Sequence, residues 1–118
     1  MAGDQAQFFQ LLNTLLSSDN DIRSQAEEAY NNIPTETKVV HLVGAVQNVE
    51  LGEEGRATAA VLLRRLLSSE FFEFFPKLPF EQQAMLREQL LLTLQMDVSQ
   101  QLRRKVLFIL FFIIINSS

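Results

Sequence analysis

The sequence predicts an all-α protein built as a stack of about three helical hairpins. Three observations point there. Glycine and proline are scarce, four and three residues in 118, while Leu, Gln, Glu and Ala dominate. Apolar residues recur at the helical period in six segments separated by turn-forming or helix-breaking residues. An arginine stands early in every second segment, with a small or branched apolar residue three positions later.

The first helix is expected over residues 5–16, where Phe8, Leu12 and Leu15 form a stripe widened by Leu11 and Leu16. Ser17, Ser18, Asp19 and Asn20 interrupt it, because their side chains bond to nearby backbone N–H groups. The second helix is expected over 21–32, with Ile22, Ala26, Ala29 and Ile33 on one face and Pro34 stopping it. The third covers 35–48, with Thr35 as its candidate cap and Val39, Val43 and Val46 facing inward. Its β-branched residues lower the intrinsic helix preference there.

Residues 51–55, LGEEG, form the next break. In the fourth helix, 54–68, Ala59, Ala60, Val61, Leu62, Leu63, Leu66 and Leu67 cover most of the circumference, which places it between neighbours. Residues 69–78 are expected as a loop or short turn ended by Pro76 and Pro79, its Phe71-Phe72-Glu73-Phe74-Phe75 run covering the side of the stack, with an exposed partner-binding patch as the alternative. The fifth helix, 80–96, stacks Leu86, Leu90 and Leu94.

The sixth helix starts near Val98 or Ser99 and carries Leu102, Val106, Ile109 and Ile113 on one stripe. It contains ten consecutive apolar residues, 106–115. Ten helical residues reach about 15 Å, against a bilayer core of about 30 Å, so this is a packing helix and no membrane span is expected. One face can pack on the fifth helix. The opposite face carries more apolar surface than a solvated helix tolerates, and self-association through this helix is expected.

The arginines give the repeat its register. Ile22-Arg23-Ser24-Gln25-Ala26, Gly55-Arg56-Ala57-Thr58-Ala59 and Leu102-Arg103-Arg104-Lys105-Val106 share one pattern, each with an acidic residue shortly before it, Asp19, Glu53 or Asp97. The arginines lie 33 and 47 residues apart, a spacing that suits stacked hairpins. The residue three after each arginine is expected to pack inward at a close helix contact. The arginine itself is expected to reach out of the helix start and pair with an acidic group of a neighbouring repeat. One unit over 1–118 follows, with repeats near 5–33, 35–68 and 80–115.

Composition narrows the function. A net charge of -4 lacks the basic footprint of a general nucleic-acid binder. The absence of cysteine removes disulfides, thiolate metal sites and cysteine nucleophiles, and fits an intracellular protein. The first residues, MAGDQ, have neither the basic nor the apolar region of a secretory signal. His41 is the sole histidine, on a valine-rich helix, and is read as packed or surface-lying. Asp19-Asn20-Asp21 opens like a calcium loop but has Ser24 at the sixth position and Tyr30 at the twelfth, so it reads as a helix cap. Gly52 and Gly55 lack the lysine end of a phosphate loop, and Glu27, Glu28, Glu53 and Glu54 are read as charges near helix starts. No catalytic, cofactor or metal site is expected, and the chain is read as a protein-binding module, not an enzyme.

Three runs carry a family resemblance: QAEEAYNNIP at 25–34, AAVLLRRLLSSEF at 59–71 and FPKLP at 75–79. They resemble the N-terminus of an importin-β (karyopherin-β) nuclear transport receptor over about residues 5–106. The resemblance implies HEAT repeats in a right-handed α-α superhelix, the second, fourth and sixth helices being the inner ones. It implies binding of GTP-loaded Ran by the first repeats, with cargo release, and a protein moving between cytoplasm and nucleus. Import cargo and nucleoporins would be met mainly by later repeats. The residues it places on the Ran surface are Arg23, Glu27, Tyr30, Arg56, Arg64, Arg65, Arg103 and Arg104. Arginine suits that role because its planar fork makes bidentate bonds. A helical-repeat scaffold binding another protein is the alternative.

The family pattern is lost in two places. Ala57-Thr58 replaces a bulkier pair, and residues 107–118 replace an amphipathic helix with an apolar tail. The tail is expected to arise from truncation, with translation running into an intron or past a frameshift.

Overall fold

In a computed structural model that describes residues 2–96 and 99–116, without the side chains of residues 2–4, 71, 72 and 74, consecutive helices pair through short connections. The helices are α1 (Ala2–Leu15), α2 (Asn20–Asn31), α3 (Thr35–Gln47), α4 (Gly52–Phe74), α5 (Phe80–Gln95) and α6 (Gln100–Asn116). Short 3-10 turns cover Val49–Leu51 and Phe75–Lys77. The all-α expectation therefore holds, with no strand among the described residues.

Within each hairpin the two helices are separated by the same interval, positions 16–19, 48–51 and 96–99. Such short connections bring successive helices back against each other. Thus α1 packs on α2, α3 on α4 and α5 on α6. Between hairpins, α3 touches both α1 and α5, and α4 lies against α6 and reaches α1. The molecule measures 42 × 31 × 25 Å. Among the described residues no helix is long and apolar enough to cross a membrane.

The starts of the second helices follow from local chemistry. The Asp19 carboxylate accepts the Asp21 and Ile22 N–H groups at 2.9 and 3.2 Å, capping α2. Ser99 Oγ accepts the Leu102 N–H at 3.1 Å and caps α6. Gly52 opens α4 with φ 76°, a left-handed conformation that favours glycine. Asp97, the third acidic residue of the repeat, lies outside the described residues.

The expected stripes largely become the core. Phe8, Leu12, Val39, Val43, Val46, Leu86, Leu90, Leu102, Val106, Ile109 and Ile113 are all buried. Helix α4 buries Ala59, Ala60, Leu63, Leu66 and Leu67, as a helix held between neighbours must. The residue three after each repeated arginine does pack inward: Ala26, Ala59 and Val106 are 3%, 0% and 0% exposed.

Three expectations fail. The α2 stripe buries only Ala26, while Ile22 and Ala29 are exposed, because α2 packs chiefly on α1 and has no comparable neighbour on its other side. Thr35 does not cap α3. Pro34 occupies that position without a side-chain bond, and the Thr35 hydroxyl donates instead to Glu70 Oε2 at 2.6 Å, tying the start of α3 to the last part of α4. The expected loop or short turn over 69–78 is confined to 75–78, since α4 continues to Phe74. Ser68 and Ser69 permit this because their hydroxyls donate to the carbonyls of Arg64 and Leu66 and leave the backbone ladder alone. Phe75 then anchors the helix end in the core at 2% exposure. Gln83 Nε2 reaches back to the carbonyls of Phe75 and Leu78 at 2.9 and 3.1 Å. The side chains of Phe71, Phe72 and Phe74, also expected to cover the stack, lie outside those described.

Phe75→Ala should therefore cost about 3–5 kcal/mol, the usual cost of truncating a buried aromatic. Phe80→Ala, at a residue 76% exposed, should cost under about 0.5 kcal/mol. Urea denaturation followed by far-UV circular dichroism separates the two, and equal losses would reject the placement of Phe75.

Candidate partner-binding surface

The three repeated arginines share a task inside the fold. Arg23 Nη1 donates to the Ser17 carbonyl at 3.3 Å, Arg56 Nε to Val46 at 2.8 Å and Arg103 Nη1 to Leu94 at 2.6 Å. Each acceptor lies at the C-terminal end of the preceding helix or just beyond it. Carbonyls there lack intrahelical donors and carry negative partial charge, so a guanidinium satisfies both needs. The expected pairing with an acid of a neighbouring repeat is thus replaced by a bond within the hairpin. Asp19 is occupied with its own helix start, and Glu53 Oε1 instead accepts the Ser99 hydroxyl, joining the starts of α4 and α6.

Burial grades the three arginines. Arg56 is only 6% exposed, and its Nη2 is buried with no partner among the described residues. Arg103 is half-buried. The Arg23 side chain is 41% exposed, also donates to Asn20 Oδ1, and lies 3.9 Å from Glu27 Oε1 in an i,i+4 ion pair. Glu27 and Glu28 sit in the second half of α2, not near its start as the sequence suggested.

Among the sequence candidates, the exposed basic groups are Arg64, Arg65 and Arg104. Arg64 and Arg65 line an open hollow of about 460 Å³ with Ser68, Ser69 and Phe108. The Arg64 guanidinium carbon lies 5.7 Å from the centre of the Phe108 ring, so the cluster bridges α4 and α6. Arg104 is one turn before Phe108 on the same side of α6. Phe108, Ser68 and Ser69 had no place among the sequence candidates. Phe108 was hidden inside the apolar tail, where its i+4 relation to Arg104 was the available signal.

Tyr30 is half-buried and committed to packing. Lys38 Nζ sits 4.6 Å from its ring centre, and the Phe8 ring lies 6.4 Å away. His41 stacks on Phe8 with ring centres 5.1 Å apart, and its Nδ1 is buried without a partner among the described residues. A second hollow, about 940 Å³, lies between α3 and α5, with Val40, His41, Met85 and Gln89 among its walls. Among the described residues no group of three or more His, Asp or Glu side chains is placed to hold a metal ion.

Replacing the repeated arginines by methionine should destabilise in the order of burial. Arg56→Met should cost about 2–3 kcal/mol, Arg103→Met about 1–2 kcal/mol and Arg23→Met less than about 1 kcal/mol. Denaturant midpoints test the ranking, and a larger loss at Arg23 than at Arg56 would overturn it.

Burial, followed by the negative charge of Glu70, pushes the Tyr30 phenol up from 10.0 to about 12. The fold then holds the phenolic proton more tightly than the unfolded chain does. That stabilisation is complete below about pH 10 and is lost as the pH rises through about 12. With one tyrosine and no tryptophan, absorbance at the tyrosinate band reads this group alone. Its midpoint should fall toward about 10 in denaturant, and a native midpoint already near 10 would contradict the packing of Tyr30. No protein-family model matches the chain.

Proposed function

We propose that this chain is a protein-binding segment of three HEAT-type hairpins, similar to the N-terminal part of an importin-β receptor of the importin-5 type. Its task is to contribute to binding of GTP-loaded Ran, and so to cargo release between nucleus and cytoplasm. The observation that carries the proposal is the basic cluster of Arg64, Arg65 and Arg104 around Phe108, spanning α4 and α6. Consecutive pairing of the helices and the repeated arginine register support the HEAT part of it.

Within this proposal the eight candidate residues divide by position. Arg64, Arg65 and Arg104 make the contact. Arg23 and Glu27 are paired with each other on α2, away from the residues that line the hollow. Arg56, Arg103 and Tyr30 shape the surface from within, since each is buried or half-buried and held by its own hairpin or its neighbour. Exposed guanidinium groups favour association with an acidic surface mainly by steering it, and they do so less at high salt.

The test is retention of purified Ran, loaded with a non-hydrolysable GTP analogue or with GDP, by the immobilised chain. The GTP form should be retained preferentially. Arg64→Glu with Arg65→Glu and Arg104→Glu should lower that retention about tenfold or more, with an unchanged helical spectrum. Equal or absent retention of the two forms would reject a Ran site. Equal retention that is still lost in the triple variant would favour the second reading, a helical-repeat scaffold for another acidic protein.

A further inference from the structure

Helix α6 has two apolar faces, and only one is used by the core. Leu102, Val106, Ile109, Leu110 and Ile113 are buried. On the opposite side Leu107, Phe108, Phe111, Ile114 and Ile115 are 48%, 53%, 65%, 51% and 55% exposed. Their spacing, three and four residues apart, makes one continuous ridge over the last turns of the helix.

We infer that two copies of this chain associate through this ridge, with their α6 helices antiparallel about a two-fold axis near Phe111. The ridge shares Phe108, and at its end Arg104, with the proposed Ran-binding cluster, so pairing of two copies and binding of Ran compete for this surface. Three properties select a second copy as the occupant. The first is area. Half-exposed large side chains each present roughly 100 Å², so five give about 500 Å² per copy and about 1,000 Å² in the pair, the size at which specific interfaces begin. The second is self-complementarity. The five ridge side chains are all apolar, with the Arg64 guanidinium flanking only Phe108, and a two-fold sets bulky apolar side chains of one copy between those of the other. The third is charge at the ends. Arg104 closes the ridge on its N-terminal side. Antiparallel pairing carries it to the last turn of the neighbouring α6, where carbonyls bear negative partial charge. The isoleucines and phenylalanines also have few rotamers to lose on association.

Sedimentation equilibrium of the chain at about 1–100 μM tests this. The expected result is a monomer–dimer equilibrium with a limiting mass twice the chain's 13.5 kDa. Phe111→Glu should weaken it at least about thirtyfold, because an isologous contact sets two carboxylates together. Phe111→Lys should do the same alone, and mixing the two variants should restore a mixed dimer. Phe111 is exposed, so far-UV circular dichroism should stay unchanged in both variants. Met85→Glu, in the hollow between α3 and α5, should leave the dimer intact. A monomer throughout the range, a polydisperse series of larger species, or a Phe111→Glu chain that pairs like the parent would each overturn the inference. The sedimentation experiment contains no Ran, so its outcome is read independently of Ran retention.

Discussion

A helix leaves its last carbonyls without intrahelical donors; in two hairpins an arginine of the following helix donates to one of them, and in the first Arg23 donates to the Ser17 carbonyl just beyond α1. The rest of the architecture depends on that bond. It reaches across the turn, so it fixes where the second helix starts relative to the end of the first. The same helix register then carries the residue three positions later into the contact, and Ala26, Ala59 and Val106 are buried there. Small or branched side chains suit the position because the helices are already drawn close. Arginine suits the bond because its guanidinium stays charged and reaches an acceptor six to ten residues away in sequence.

The arrangement has a cost that rises with burial. A guanidinium near the start of its own helix meets the positive end of that helix dipole. In α4, Glu53 and Glu54 of the first turn offset this, and in α2 Asp21 does so. That gives a physical reason for the acidic residue before the arginine, different from a direct ion pair. Arg56 bears the largest penalty, with Nη2 buried and without a partner among the described residues. It belongs to the middle hairpin, which is covered from both sides. Polar ties hold that hairpin to the third one in both rows of helices. Gln47 Nε2 donates to Gln89 and Thr93 between α3 and α5, and the Ser99 hydroxyl donates to Glu53 between α4 and α6.

Periodicity made the inward faces legible. Leu102, Val106, Ile109 and Ile113 could be read as one buried stripe because helical spacing alone decides which residues share a side. The arginine repeat was equally visible, but its partner was not. An acidic side chain announces itself in a sequence, whereas a backbone carbonyl is present at every residue and becomes special only at a helix end. The extension of α4 to Phe74 was hidden for a related reason. Serine reads as a turn former unless one knows that Ser68 and Ser69 bond back to the preceding turn. The basic cluster was legible at Arg64, Arg65 and Arg104 and illegible at Phe108, because its aromatic member sits on a neighbouring hairpin and only packing brings α6 beside α4.

Position within the helix decides whether an arginine serves the fold or faces outward. Arg103 and Arg104 are consecutive, yet about 100° of rotation separates them on the helix. The first points back to the Leu94 carbonyl, and the second points to solvent one turn from Phe108. Arg64 and Arg65 lie too far along α4 to reach the end of α3, so neither can close the hairpin. Arg64 leans instead on a ring from the adjacent hairpin, a contact that orients its guanidinium while leaving its hydrogen-bond donors open. The repeat thus produces two kinds of cation from one residue type. Arg23, Arg56 and Arg103 are consumed by carbonyls at or just beyond the preceding helix end, and Arg64 is aligned across the joint between hairpins.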